Sequence, residues 1–334
     1  MRRALAHRLK NAFGAERQSG TTERKKNMIT TVCLNPSFDK TAVLSELKPG
    51  ELNRLEQVRV DLGGKGLNVA TVLSRLGVQT RCVGCLGREN ASLFLQMVER
   101  ERLTFEYMTV AGEVRTNLKL CEITSKAITE INEPGPSVSE DELGAFLTLL
   151  KEKVQDSSYV VFSGSLPQNC GEDTYQRCIH SLPGQKCVLD AAGESLLRGI
   201  KEKPYLIKPN LPEIEGIVSR ELKTLRAIRD AALLLMEYGA QNVIVSMGKM
   251  GAVLVTPQRT LFSPAVPVTA SSTVGAGDAM LGGVLMGLDR GVSLEDAFRF
   301  GVAAGAASVM TDGTQLLSRE DFENLVPRVT VQEV

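Results

Sequence analysis

The stretch Tyr159-Val160-Val161-Phe162-Ser163-Gly164-Ser165-Leu166-Pro167 sets the fold class. Its first four residues are apolar without alternation, so a strand made of them has no face suited to water. Such strands sit in parallel sheets covered on both sides by helices. The run then stops in a short polar turn with a glycine and a proline. The same pattern recurs along the chain. Cys187-Val188-Leu189 runs into Asp190-Ala191-Ala192-Gly193, and Tyr205-Leu206-Ile207 runs into Lys208-Pro209-Asn210-Leu211-Pro212-Glu213. Residues 242–245 run into Ser246-Met247-Gly248-Lys249-Met250-Gly251, and residues 28–34 close on Asn35-Pro36-Ser37-Phe38-Asp39. Apolar residues at helical spacing fall near 66–76, 91–102, 140–154, 222–238, 276–289, 293–310 and 319–325. This alternation predicts an α/β fold with a mostly parallel central sheet between helical layers.

Two segments break the rhythm. Residues 38–60 and 105–133 alternate Thr, Val and Ile with polar residues, as an antiparallel ribbon with one solvated face does. They predict a small β lid, discontinuous in sequence. Residues 252–262 read as an apolar hairpin at an antiparallel edge, and no internal repeat is present.

Bulk composition excludes several classes. Lys+Arg and Asp+Glu are equal at 39 each, so no global field draws nucleic acid or an acidic membrane. Trp is absent and aromatics make up 4% of the chain, which argues against a base-stacking platform. No apolar run is long enough to span a bilayer. Residues 1–27 are basic and spotted with Gly, Ser and Thr; they read as a disordered extension upstream of one large unit at 28–330. Cys82-Val83-Gly84-Cys85 has CxxC spacing, but no second CxxC exists, so small apolar core residues are expected rather than a redox or zinc module. Such cysteine use suits a reducing, cytoplasmic compartment.

Ligands of open parallel sheets bind beyond the carboxyl ends of the strands. The polar turns above would all lie there, joined by Gly63-Gly64-Lys65-Gly66-Leu67-Asn68 before a helix and by Thr273-Val274-Gly275-Ala276-Gly277-Asp278 at the start of another. In the latter, small residues let successive N–H groups converge at a helix N-terminus, a site for phosphate or developing anionic oxygen. Asp278 would cap that helix or act as a base. Gly282 and Gly283, one turn on, would serve either ligand approach or close helix packing. Asn210 and Glu213 have the spacing of a helix cap with an early acid. The chain lacks both the Walker pattern and GxGxxG.

With these motifs in place, residues from about 28 to 325 resemble the PfkB, or ribokinase-like, carbohydrate kinases. Gly63-Gly64-Lys65-Gly66-Leu67-Asn68 is similar to their N-terminal signature, Ser272-Thr273-Val274-Gly275-Ala276-Gly277-Asp278 to their C-terminal one, and Asn210-Leu211-Pro212-Glu213 to their NxxE motif. Leu34-Asn35-Pro36-Ser37-Phe38-Asp39, Ser163-Gly164-Ser165-Leu166-Pro167 and Lys208-Pro209-Asn210 resemble the phosphosugar branch. That branch holds the 1-phosphofructokinases, the tagatose-6-phosphate kinases and the minor 6-phosphofructokinases. Gly50-Glu51-Leu52-Asn53-Arg54 is most similar to the first of these.

The resemblance implies a three-layer ribokinase-like core and transfer of a phosphoryl group from Mg-ATP to a ketose phosphate, with fructose 1-phosphate converted to fructose 1,6-bisphosphate. It implies Asp278 as general base beside an anion hole at Gly275, Ala276 and Gly277. It implies substrate contacts at Asp39, Gly63, Gly64, Lys65, Asn68, Arg115, Asn117 and Ser165. ATP contacts would fall at Lys208, Asn210, Ser246, Gly248, Gly251 and Gly277, with Mg²⁺ held near Asn210 and Glu213 directly or through water. A homodimer through the β lid is also implied. From another class, a non-catalytic sugar-phosphate sensor would keep the pocket but has no need of a complete Asp278 turn.

Overall fold

The computed structural model describes residues 28–311, 313 and 315–334. The expectation for residues 1–27 lies outside the described residues. Strands β1 Met28–Cys33, β2 Ser37–Leu44, β3 Gln57–Gly63, β4 Thr80–Gly87, β5 Thr104–Val110, β6 Arg115–Glu122 and β7 Ile128–Asn132 make up the first half of the chain. β8 Ser157–Ser163, β9 Cys187–Asp190, β10 Leu206–Ile207, β11 Val243–Ser246, β12 Ala252–Val255, β13 Thr260–Ser263 and β14 Gln332–Glu333 follow.

Ten of them form the large sheet in the order β14-β13-β12-β11-β10-β9-β8-β1-β4-β5. Every pairing from β11 to β5 is parallel. The β12–β13 hairpin and β14 extend one side antiparallel. The unalternating apolar runs explain this layering. Val161, Val188, Leu206 and Ile244 face one core, shared with helices Lys65–Arg75, Ala276–Asp289, Leu294–Ser308 and Arg319–Leu325. Their neighbours Val160, Phe162, Leu189, Ile207 and Val245 face the other, shared with Glu140–Lys153, Thr174–His180, Gly193–Ile200, Leu211–Val218 and Leu225–Glu237. The result is a three-layer α/β/α core.

The remaining strands form a smaller sheet in the order β3-β2-β6-β7. One expectation is corrected here. Residues 105–110, read with the ribbon, belong to β5, which pairs in parallel with β4 at the edge of the large sheet. An edge strand with one solvated face alternates as a ribbon strand does, so the pattern alone could not separate them. Phe38 of the smaller sheet packs edge-on against Phe94 of the Ala91–Arg100 helix, with ring centroids 5.4 Å apart.

Cys82 and Cys85 are both fully buried in β4, where they act as small core residues. Among the described residues, no helix is long and apolar enough to cross a membrane.

Candidate active site

The turns beyond β1, β8, β9, β10 and β11 lie on one side of the large sheet and are laced together by backbone hydrogen bonds. Gly164 N donates to Asp190 O at 3.2 Å, Lys208 N to Leu189 O at 3.2 Å, and Ser246 N to Pro209 O at 3.1 Å. All of them but the turn beyond β9 border a cavity of about 1130 Å³ that the smaller sheet also lines. A pocket for one small ligand usually measures ~300–1,000 Å³, so this one has room for two side by side.

Asp278 lines that cavity while its side chain is largely withdrawn from bulk water. It stands in the first turn of the Ala276–Asp289 helix, which no side chain caps. Gly275 enters that helix with φ +76°, a left-handed conformation that suits glycine. Asn68 Nδ2 donates to Asp278 Oδ2 at 2.8 Å, so this amide orients the carboxylate. Burial pushes the Asp278 carboxyl up to about 6; Lys65 opposes the shift and Asp190 adds to it. Gly282 and Gly283 have another use. A Cβ on Gly282 would overlap Val72 of the Lys65–Arg75 helix, and one on Gly283 would overlap the Phe300 carbonyl of the Leu294–Ser308 helix. Their bareness serves helix packing and not the ligand.

Beneath this turn lies a group that the sequence reading did not select. Asp190, at the end of β9, is 1% exposed. Its Oδ2 is 3.3 Å from Lys208 Nζ, its Oδ1 is 3.6 Å from Lys65 Nζ, and Ser163 Oγ donates to Oδ2 at 3.3 Å. Burial alone would raise the Asp190 carboxyl, but the Lys208 and Lys65 ammoniums outweigh it and hold the group below its ordinary value. Asp190 in turn raises Lys65. Lys208 also touches the helix start: a Cβ on Gly277 would sit 3.2 Å from its Nζ. A helix N-terminus and an ammonium thus adjoin, a combination that suits an anion.

The smaller sheet supplies the other end of the cavity. Asp39 Oδ1 accepts from Ser37 Oγ at 2.8 Å and from Asn117 Nδ2 at 3.0 Å. Its Oδ2 lies 3.2 Å from Lys119 Nζ. Arg115 donates to Ser165 Oγ at 3.1 Å and to Asn35 O at 3.3 Å, and burial lowers its guanidinium from the usual value. Asp39, Arg115, Asn117 and Ser165 all line the cavity, as do Gly64, Lys65 and Asn68. Gly63 does not; a Cβ there would overlap Asp39 Oδ1 and Ser37 Oγ, so this residue makes room for the carboxylate.

On the opposite side, Asn210 and Glu213 form a reciprocal capping box. Glu213 N donates to Asn210 Oδ1 and Asn210 N to Glu213 Oε2, both at 2.8 Å. The cap reading of the spacing therefore holds, and both residues line the cavity as well. Ser246, Gly248 and Gly251 border it, and Gly251 has φ +99° with the Ser263 carbonyl where a side chain would go. Val266, Val268, Val302 and Val309 give this end an apolar wall. Among the described residues, no group of three or more His, Cys, Asp or Glu side chains could hold a metal ion. Of the three carboxylates that line the cavity, Asp39, Glu213 and Asp278, Glu213 beside Asn210 fits Mg²⁺, which keeps much of its water and takes its other oxygens from phosphates.

Residues 33–321 match the pattern of the pfkB family carbohydrate kinases. The chain belongs to that family. This pfkB kinase is 35% identical to 1-phosphofructokinase of Vibrio cholerae over 91% of the chain and 96% of the relative. It is 34% identical to 1-phosphofructokinase of Bacillus subtilis over 91% and 99%. Among solved structures, phosphofructokinase-2 of Escherichia coli in complex with potassium superposes with a TM-score of 0.85 at 29% identity, covering 90% of this chain and 99% of that one. The same enzyme in complex with substrates and products gives 0.84 at 30%, with equal coverage. As a member of the family, the pfkB kinase is a phosphotransferase that takes its phosphoryl group from ATP. Asp190, Lys119, Ser37 and Asn35 are among the polar residues around the cavity to which the sequence reading gave no role. The signal for Asp190 was a lone acid closing an otherwise apolar strand.

Proposed function

We propose that this kinase phosphorylates fructose 1-phosphate to fructose 1,6-bisphosphate. The observation that carries the acceptor class is the Arg115–Ser165 pair, 3.1 Å apart beside Asp39. A guanidinium with a hydroxyl suits the oxygens of a phosphate already on the sugar. The relatives named 1-phosphofructokinase support the isomer.

In this reading the sugar hydroxyl lies between Asp278 and the γ-phosphorus. As the new oxygen–phosphorus bond forms, Asp278 takes the hydroxyl proton and ADP leaves with the electron pair of the broken bond. The amides of Ala276, Gly277 and Asp278, with Lys208, stabilise the charge spread over the migrating group. Asp39, Lys65 and Asn117 hold the sugar, and Gly64 lets it approach the backbone. Lys208, Asn210, Ser246, Gly248 and Gly251 hold the nucleotide. Glu213 and Asn210 would hold Mg²⁺, directly or through water, and the ion would neutralise charge on the ATP phosphates. The smaller sheet acts as a lid. Val58, Val60 and Ile131, exposed on one face of its outer strands, support a homodimer through that surface.

A panel of ketose phosphates tested with ATP and Mg²⁺ for ADP release checks the assignment. Fructose 1-phosphate should give the highest kcat/KM. Preference for tagatose 6-phosphate or fructose 6-phosphate would overturn the isomer, and release with none of them would favour a sensor. Arg115→Ala should raise the KM for the phosphosugar about 10- to 100-fold, the equivalent of one charge-assisted contact. The KM for ATP should stay nearly constant; a rise confined to ATP would remove Arg115 from the sugar side.

A further inference from the structure

Lys119 is hard to explain as a structural residue. Its side chain is 7% exposed, and that of Asp39, its partner, 8%. It does not line the cavity, so it lies behind Asp39. A buried ion pair is seldom more stable than apolar residues of the same volume, because both charges lose water. The pair must therefore be retained for what it does to Asp39.

Strand register shows what that is. β2 and β6 run parallel with Asp39 opposite Asn117, and Lys119 follows two residues on, on the same face. Asp39 is thus fixed at both oxygens, by Ser37 and Asn117 at Oδ1 and by Lys119 at Oδ2. Asn117 spends its Nδ2 on Asp39 and Ser37, and its Oδ1 is buried without a hydrogen-bond partner among the described residues. Asp39 and Asn117 both line the cavity, and the buried Asn117 Oδ1 still lacks the donor that a sugar hydroxyl would supply.

We propose that Lys119 is a positioning residue for sugar recognition: its ammonium locks the Asp39 carboxylate, so that Asp39 and Asn117 Oδ1 together read two hydroxyls of the acceptor ring. The inference rests on the phosphosugar reading above. Lys119→Met removes the charge at similar volume. It should raise the KM for the phosphosugar about 10- to 100-fold and leave the KM for ATP unchanged. Monodeoxy analogues of the accepted sugar phosphate should be discriminated strongly by the wild type and weakly by the variant. Lys119→Arg, which keeps the charge, should recover most of both.

A cycle of Asp39→Asn, Lys119→Met and the double variant closes the test. If Lys119 acts through Asp39, the double should be no worse than the poorer single. It also removes both charges together, so it remains testable should Lys119→Met alone fold poorly. Independent, multiplying effects on KM, or unchanged deoxy discrimination in Lys119→Met, would overturn the inference. A wild type that phosphorylates no ketose phosphate would overturn the phosphosugar reading as well.

Discussion

Asp278→Asn should lower kcat by about 10²–10⁴-fold, the range expected when a general base is lost. The substitution is nearly isosteric. The new amide oxygen can still accept from Asn68 Nδ2, which is 2.8 Å from Asp278 Oδ2 in the native site. The helix start and its amides should therefore persist, and affinity for ATP should hardly move. A variant with near wild-type turnover would remove Asp278 from the chemistry. The pH profile supplies a second readout. A base acts only when unprotonated, and burial has moved this carboxyl up from 3.8 to about 6. The acid limb of kcat/KM should therefore bend near pH 6 and fall about tenfold per unit below it, well above the range of a solvent-exposed Asp. A limb at the ordinary aspartate value would contradict the assignment.

Asp190→Asn should have the largest effect on stability. Breaking a buried ion pair by neutralising one partner costs about 3–5 kcal/mol, because the other charge stays in the interior. Here two ammoniums would lose their counter-ion. They differ in how well they can escape: the side chain of Lys208 is 4% exposed, whereas that of Lys65 is 41% exposed and can turn toward water. The cost should therefore lie near the lower end, about 3 kcal/mol, or a fall in melting temperature of about 5 °C. Equilibrium denaturation is the direct check. A midpoint indistinguishable from wild type would mean that the ion pairs add nothing to the native state. Turnover should drop as well, since Lys208 loses the group that steers it against the Gly277 turn.

The parts of the molecule visible in its sequence were those where one local pattern has one physical cause. Unbroken apolar runs such as Tyr159–Phe162 can only be strands covered on both faces, and the Ala276–Asp289 helix announced itself by its glycine-bounded start. Helices Thr174–His180 and Gly193–Ile200 were missed because each makes only about two turns and neither opens on a capping side chain, whereas the equally short Arg319–Leu325 and Leu211–Val218 open on Ser318 and Asn210. Within the candidate site, turn residues could be picked out by their position after strands. Asp190 shared that position, but its lysine partners did not show in the sequence; Lys119 could not be picked out, because its meaning comes from a partner brought near by sheet topology. A lone Lys in an alternating strand reads as a solvated charge until the β2–β6 register sets it against Asp39.

The helix that carries Asp278 is enclosed on every side from Asp278 to Gly287, wedged between two neighbours at glycine contacts. Such a mount leaves little freedom to slide or tilt without disturbing the interior. Adjustment of fit around different guests must then fall to the outer strands of the smaller sheet, where side chains such as Val58 and Ile131 meet solvent. Laboratory evolution toward new acceptors should accordingly collect its changes there, around an anvil that stays still.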